Sequence, residues 1–146
     1  SFVIIIFILI RKSRKKRESG QSFTIDYTPV ELSSYTDMDT KRLIAYIMEN
    51  YTDPDLSVKK LYNQLGIPRR RIALLIKKKY HLTFKQFLNK IRLTEAARLL
   101  KETDRNITEI ALILGFSSAS YFFQVFKSAY TISPSEYRKK YTRYGS

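Results

Sequence analysis

Three consecutive arginines, Arg69-Arg70-Arg71, follow directly on Pro68 where an apolar-periodic stretch begins. A guanidinium presents five N–H donors in a rigid fork, which suits phosphates and planar acceptor edges. Cations at a helix start oppose the helix dipole. Three arginines in that place therefore point to an anionic partner rather than to a merely solvated charge run. At ~100° per residue the three cannot share one helix face. The chemistry is recognition of anions, not bond making. The chain has no Cys, a single His (His81) and four Gly. That excludes a cysteine nucleophile, a thiolate zinc site, a multi-histidine metal centre and a Gly-rich phosphate loop. No catalytic set, cofactor or metal is expected, and the chain is not read as an enzyme.

The elements that position these arginines come from a chain of 146 residues with a formal net charge of +14. Its pI is about 10.0. Hydrophobic residues make up 44%, enough to build a core for one ordinary domain or two very small ones. So large an excess of Lys and Arg fits displacement of counterions from nucleic acid or from anionic lipid.

Composition divides the chain into three. Phe2 to Ile10 is an unbroken apolar run, which as a helix rises ~14 Å, about half of what a span needs. With no Met before it, the run is read as the end of a truncated transmembrane helix. Six basic residues follow in Arg11-Lys-Ser-Arg-Lys-Lys-Arg17 and form its cytoplasmic flank, also suited to anionic lipid heads. A signal peptide would carry its charges before the apolar run. A buried β-strand is the other reading that Val and Ile allow. Residues 18–35 lack Lys and Arg, carry a charge of −3, and are read as a linker.

From residue 36 to 146 the pattern is helical, with 21 basic against 10 acidic residues. Leu43, Ile44, Ile47 and Tyr51 form one stripe of a helix over 38–51. Ser57 caps a helix over 58–65 that ends at Gly66, and Pro68 sits in the first turn of the next, which runs to about Lys79. Further helices are predicted over 84–101, 107–114, 118–129 and 134–137. No strand pattern appears, so the fold class is all-α with about seven helices.

One unit occurs twice. Val58, Leu61, Leu65 and Gly66 match Ile107, Ile110, Leu114 and Gly115 at an offset of 49. Beyond the corner Ile72, Leu75, Ile76, Lys77 and Tyr80 match Phe122, Val125, Phe126, Lys127 and Tyr130 at an offset of 50. Each copy is a short helix, a Gly corner and a second helix, the helix-turn-helix arrangement. Its second helix can enter a major groove with its N-terminal residues at the base edges.

The second copy contains Ile107-Thr-Glu-Ile-Ala111, Gly115-Phe116, Ser120-Tyr-Phe122, Val125-Phe-Lys127 and Ser133-Pro-Ser-Glu-Tyr-Arg138. Ile91-Arg-Leu-Thr-Glu-Ala-Ala-Arg-Leu-Leu100 lies between the copies. From about Leu56 to Lys140 the chain resembles the DNA-binding domain of the AraC/XylS family of bacterial transcription regulators. The resemblance implies two helix-turn-helix subdomains joined by a long linker helix, reading successive major-groove faces of double-stranded DNA about one turn apart (~34 Å). It implies transcription regulation, most commonly activation, with RNA polymerase as a partner. Some members carry this domain at the end of a membrane protein with an extracytoplasmic sensor, in agreement with the membrane reading of residues 1–17. A homodimer through a part preceding this chain belongs to the same picture, as the cytoplasmic domain of a bacterial inner-membrane protein. The chain departs from the family pattern at Tyr62, where Ala is preferred, at Ile76, where Phe is common, and at His81 and Thr131, where Gly is common.

Carried over position by position, the resemblance puts the base-facing set of the first unit at Arg70, Ala73 and Leu74. Arg70 suits guanine O6 and N7, and Ala73 and Leu74 suit a thymine methyl. The second set is Ala119, Ser120, Tyr121 and Gln124, with Gln124 suited to adenine N6 and N7. Phosphate contacts are expected from Arg69, Arg71, Lys77, Lys78, Lys79, Lys85 and Lys127. Arg92 and Arg98 are expected on the surface of the linker helix, pairing with Glu95 and Glu102. The alternative function is an anionic-lipid-binding module without sequence preference on DNA.

Overall fold

The computed structural model describes residues 29–142, with side chains from Thr36 onward. Among them are seven α-helices and no strand: α1 (Pro29–Asn50), α2 (Val58–Leu65), α3 (Arg69–Tyr80), α4 (Phe84–Glu102), α5 (Ile107–Ile113), α6 (Ala119–Tyr130) and α7 (Pro134–Tyr141). The all-α expectation holds. The first helix starts at Pro29, inside the stretch read as linker. Pro suits a helix start, while Ser33, Ser34 and Thr36 are weak helix formers and hid the extension. The last helix continues past Tyr137 to Tyr141, and Pro68 precedes α3 as its N-cap rather than lying in its first turn. The membrane and juxtamembrane expectation for residues 1–17 lies outside the described residues. Within the described residues no helix is long and apolar enough to cross a membrane.

Local chemistry sets most of the helix limits. Side chains of Ser57, Thr83, Asn106, Ser118 and Ser133 accept hydrogen bonds from backbone N–H groups one turn ahead. Each satisfies donors that the helix itself leaves open. Thr83 with Gln86, and Ser133 with Glu136, form full capping boxes at an offset of 50. The repeat thus runs beyond the two corners into the helix that follows each. Gly66 and Gly115 turn the corners at φ 70° and 88°. The ends of α3 and α6 use the same left-handed backbone without glycine, at His81 (φ 58°) and Thr131 (φ 67°). These are two of the departures noted above, and the positive φ is the physical reason why Gly is favoured there.

Two cores result, and α4 serves both. Leu43, Ile47, Leu61, Ile67, Ile72 and Ile76 pack with Phe87, Leu88 and Ile91 of the first half of α4. Ile110, Phe116, Phe122 and Phe126 pack with Leu93, Ala96, Leu99 and Leu100 of its second half. The first subdomain is therefore α1–α3 closed by the start of α4, and the second is α5–α7 built on the rest of it. Each fully buried apolar side chain contributes about 1.5–3 kcal/mol. The exposed pairs of Arg98 with Glu95 and Glu102, which occur as expected, contribute far less. Burial decides the fold.

Arg92 is not a surface partner of Glu95. It is 6% exposed, with Nε 2.7 Å from the carbonyl of Tyr51 and Nη2 2.8 Å from that of Asp53. Helical spacing put it beside Glu95, but α4 packs that face against the turn after α1.

Candidate nucleic-acid interface

Burying Ile72, Leu75 and Ile76 forces the opposite face of α3 outward. Arg69, Arg70, Ala73, Leu74, Lys77 and Lys78 all lie on its exposed surface, and Leu74 is 58% exposed. An apolar side chain left that open costs nothing to bring against a methyl group. It would gain from doing so. Arg70 lies one helical turn from Leu74, so the two face the same way.

The other two arginines differ from Arg70. Arg69 lies over the ring of Tyr62, 5.9 Å from its centroid. Tyr62, at the position where the family prefers Ala, is 45% exposed, whereas Ala111 at the matching place in the second unit is fully buried. A large ring here avoids the inter-helix space and reaches the start of α3. Arg71, also expected on phosphate, has a partner inside the fold. Its buried Nε is 2.8 Å from Asp39 Oδ2 on α1, so it braces α3 against α1. Asp39 also lies 3.7 Å from Arg42. Helical spacing alone cannot reveal a partner 32 residues away.

Lys77 reaches the carbonyl of His81 at 3.5 Å, closing its own helix end while its head stays exposed. Lys79 has its ammonium 5.9 Å from the Tyr80 ring. The Asp37 carboxylate is held below its ordinary range first by Lys41 at 2.7 Å, and also by the charge of Lys79. Lys79 thus has an internal counter-charge that Lys78 is not shown to share.

In the second unit Ser120, Gln124 and Lys127 are exposed on α6, opposite the buried Phe122 and Phe126. Ala119 is half-buried. Tyr121 is half-buried too, and its hydroxyl accepts from Asn89 Nδ2 at 2.8 Å. Lys85, from the start of α4, places its ammonium 5.2 Å from the Tyr121 ring centroid. Lys85 therefore stands beside the second reading helix, although its own helix start closes the first unit. Tyr121 is tied to the frame, with its ring still partly open.

Asn89 was missed by sequence reasoning. The signal that finds it is the repeat itself. Asp39 and Asn89 lie 50 apart on the long helices, and their partners Arg71 and Tyr121 lie 50 apart on the reading helices. In both units the third residue of the reading helix is held by the long helix before it. Near the end of α6, Glu136 is held below its ordinary range by hydrogen bonds from Ser133, with lesser contributions from Lys127 and Lys139. Among the described residues no His/Cys/Asp/Glu group could hold a metal ion.

Two exposed polar faces, one led by Arg70 and the other by Ser120 and Gln124, thus stand on equivalent helices of a double frame. A family profile described as a helix-turn-helix domain matches residues 61–140. Over 135 residues, 92% of this chain, the sequence is 27% identical to Histidine kinase P4 of Formosa agariphila, and the chain spans 10% of that protein's length. The structure is similar to the C-terminal domain of AraT, a response regulator from Geobacillus stearothermophilus, with a TM-score of 0.69 at 30% identity, over 74% of this chain and 91% of that one. It shares its fold with the DNA-binding domain of AdpA, a global transcriptional factor solved in complex with a target DNA, with a TM-score of 0.65 at 24% identity, over 70% and 92% of the two chains. The double frame, the matched profile and these likenesses agree, and the chain belongs to the AraC-type helix-turn-helix family of DNA-binding transcription regulators.

Proposed function

We propose that this domain binds a specific duplex sequence with α3 and α6 in successive major grooves, and so regulates transcription as an activator that engages RNA polymerase. The observation that carries this is the pair of exposed reading faces on equivalent helices, each flanked by unburied lysines. Arg70 reads guanine, Leu74 packs on a thymine methyl, and Gln124 reads adenine. Arg69, Lys77, Lys78, Lys85 and Lys127 hold phosphates, and Ala73, Ala119 and Ser120 line the approach. Net charge supports duplex over lipid, since most of the basic excess lies in residues 36–146 rather than in residues 11–17. The AdpA complex supports the DNA reading by analogy of fold.

The wider setting is the cytoplasmic output end of a membrane-bound sensor, dimerised through a part outside this chain. The apolar and basic residues 1–17 and the likeness to a histidine kinase support it.

The test is selection of bound duplexes from a random pool by the whole chain at ~150 mM salt, where unspecific binding is weak. Two enriched elements about 10 base pairs apart are expected. No enrichment above random DNA, with binding to phosphatidylserine vesicles that is lost on removing residues 1–17, would replace this reading by the lipid one.

A further inference from the structure

Arg92 holds a charged group where the two subdomains meet. Charged side chains are almost never buried unless paired, yet among the described residues no carboxylate bonds this one. Its two hydrogen bonds go to the backbone carbonyls of Tyr51 and Asp53, in the turn that ends α1. Its guanidinium carbon lies 5.8 Å from the ring centroid of Phe116, which belongs to the second core. Burial lowers its pKa, and Asp53 opposes that shift.

The surroundings make this a joint. Ile91 belongs to the first core and Leu93 to the second, so α4 changes allegiance at Arg92. Tyr51 packs on both cores. The corner of the second unit abuts the same turn: a Cβ on Gly115 would stand 2.6 Å from the Thr52 carbonyl oxygen and 2.9 Å from Arg92 Nη2. The turn is itself held, because Asp53 pairs with Lys60 and accepts from the Asp55 N–H. Fifty residues earlier Arg42 does related work within one unit, donating to the Leu65 carbonyl at the first corner. Arg92 instead reaches across to the other subdomain.

We infer that Arg92, clamped on the 51–53 turn beneath the Gly115-Phe116 corner, is the positioning residue that fixes the relative pose of the two reading helices and thereby the spacing this protein accepts between its two half-sites. Each base pair inserted between half-sites moves one groove by ~3.4 Å and turns it by ~35°. A rigid joint rejects that displacement and a loose one tolerates it. The inference rests on the two-groove reading for its consequence on DNA, but not for the joint itself.

Two measurements test it. The chain has no Cys, so Lys78→Cys and Ser128→Cys place spin labels at exposed, equivalent positions on α3 and α6. Pulsed dipolar spectroscopy without DNA is expected to give one narrow distance in the parent, a broader distribution in Arg92→Met, and an intermediate one in Arg92→Lys, whose single ammonium cannot serve both carbonyls in the fork geometry. On duplexes recovered from the selection, inserting two base pairs is expected to weaken the parent by about 30-fold or more and Arg92→Met by less than about 5-fold, with binding to an isolated half-site unchanged. Equal distance widths and equal spacing penalties in parent and variants would overturn the joint. If Arg92→Met does not fold, Arg92→Lys carries the same measurements, and an unchanged width in it overturns the joint. If no duplex is enriched, the proposed function falls, and the distance measurement still decides the joint.

Discussion

The two helix-turn-helix units share a frame and differ in what fills it. In the first, Ile67, Ile72 and Ile76 occupy the positions that Phe116, Phe122 and Phe126 hold in the second, all fully or nearly buried. The second core continues as an aromatic run: Phe116 to Phe122 at 5.0 Å, Phe122 to Phe126 at 5.5 Å, Phe126 to Tyr130 at 4.5 Å and Tyr130 to Tyr137 at 5.1 Å. Among the described residues the first shows the stacked pair Tyr80–Phe87, at 4.4 Å, in the place of that last pair. Caps, corners and left-handed helix ends recur, while core chemistry and reading residues do not. The frame is a demand of backbone geometry, met by whatever fills the volume. The exposed reading residues Arg70, Leu74, Ser120 and Gln124 are free to diverge because they lie outside both cores.

The largest break in this comparison should come from the core. Phe122→Ala is expected to cost about 3–5 kcal/mol, and Ile72→Ala at the equivalent site about 2–5, with the aromatic unit losing more. Denaturant unfolding, followed in the near ultraviolet for the second unit, reads both.

The corners should differ next. A Cβ on Gly66 would meet nothing within 4 Å, whereas on Gly115 it would strike Thr52 and Arg92. Gly66→Ala should cost only its left-handed backbone, about 1–2 kcal/mol. Gly115→Ala should cost at least about 3, because overpacking adds to the same strain. Equal losses would mean that the second corner is less tightly packed than it stands here.

The reading faces sharpen the comparison on DNA. Arg70→Ala and Gln124→Ala should each weaken the selected duplex by about 1–3 kcal/mol and relax preference in one half-site only. Arg71→Ala should leave sequence preference alone and lower stability by at most about 1 kcal/mol, since its pair with Asp39 is partly exposed. Weaker binding to all duplexes alike in Arg71→Ala would return it to the phosphates.

The smallest effect is acid sensitivity, shared by the units through different groups. Asp53, in the turn of the first subdomain, is held below its ordinary 3.8 by the hydrogen bond from Lys60, then by the Asp55 N–H. Glu136, in the capping box of the second, is held below 4.5 by Ser133. Both are lowered in the folded state, so their contribution is present above those values and fades as pH falls through the folded ones. The melting temperature is therefore expected to drop between about pH 5 and pH 3. Asp53→Asn and Glu136→Gln should each flatten part of that drop.

Much of this was legible in the sequence, and unevenly. Helices α2 to α6 lie within a residue or two of their predicted limits, because Ser57, Gly66, Thr83, Asn106 and Ser118 act on neighbours a turn away. The start of α1 was not legible, because weak helix formers hide a helix continued by context. Among the candidate site residues Arg70, Ala73, Leu74, Ser120 and Gln124 are exposed on α3 and α6, while Arg71, Ala119 and Tyr121 are half-buried. Arg71, Arg92 and Tyr121 each have a partner that spacing does not show.

By itself the sequence determined the all-α class, the doubled corner, the inward stripes and hence the outward faces. Each follows from backbone periodicity and short-range capping, which act within a few residues. Only the tertiary structure decided which polar side chains are already taken within the fold. Arg71 is taken by Asp39, Tyr121 by Asn89 and Arg92 by carbonyls 39 and 41 residues away. Those choices depend on which helix faces meet when two cores close on one shared helix, and no local pattern encodes that meeting.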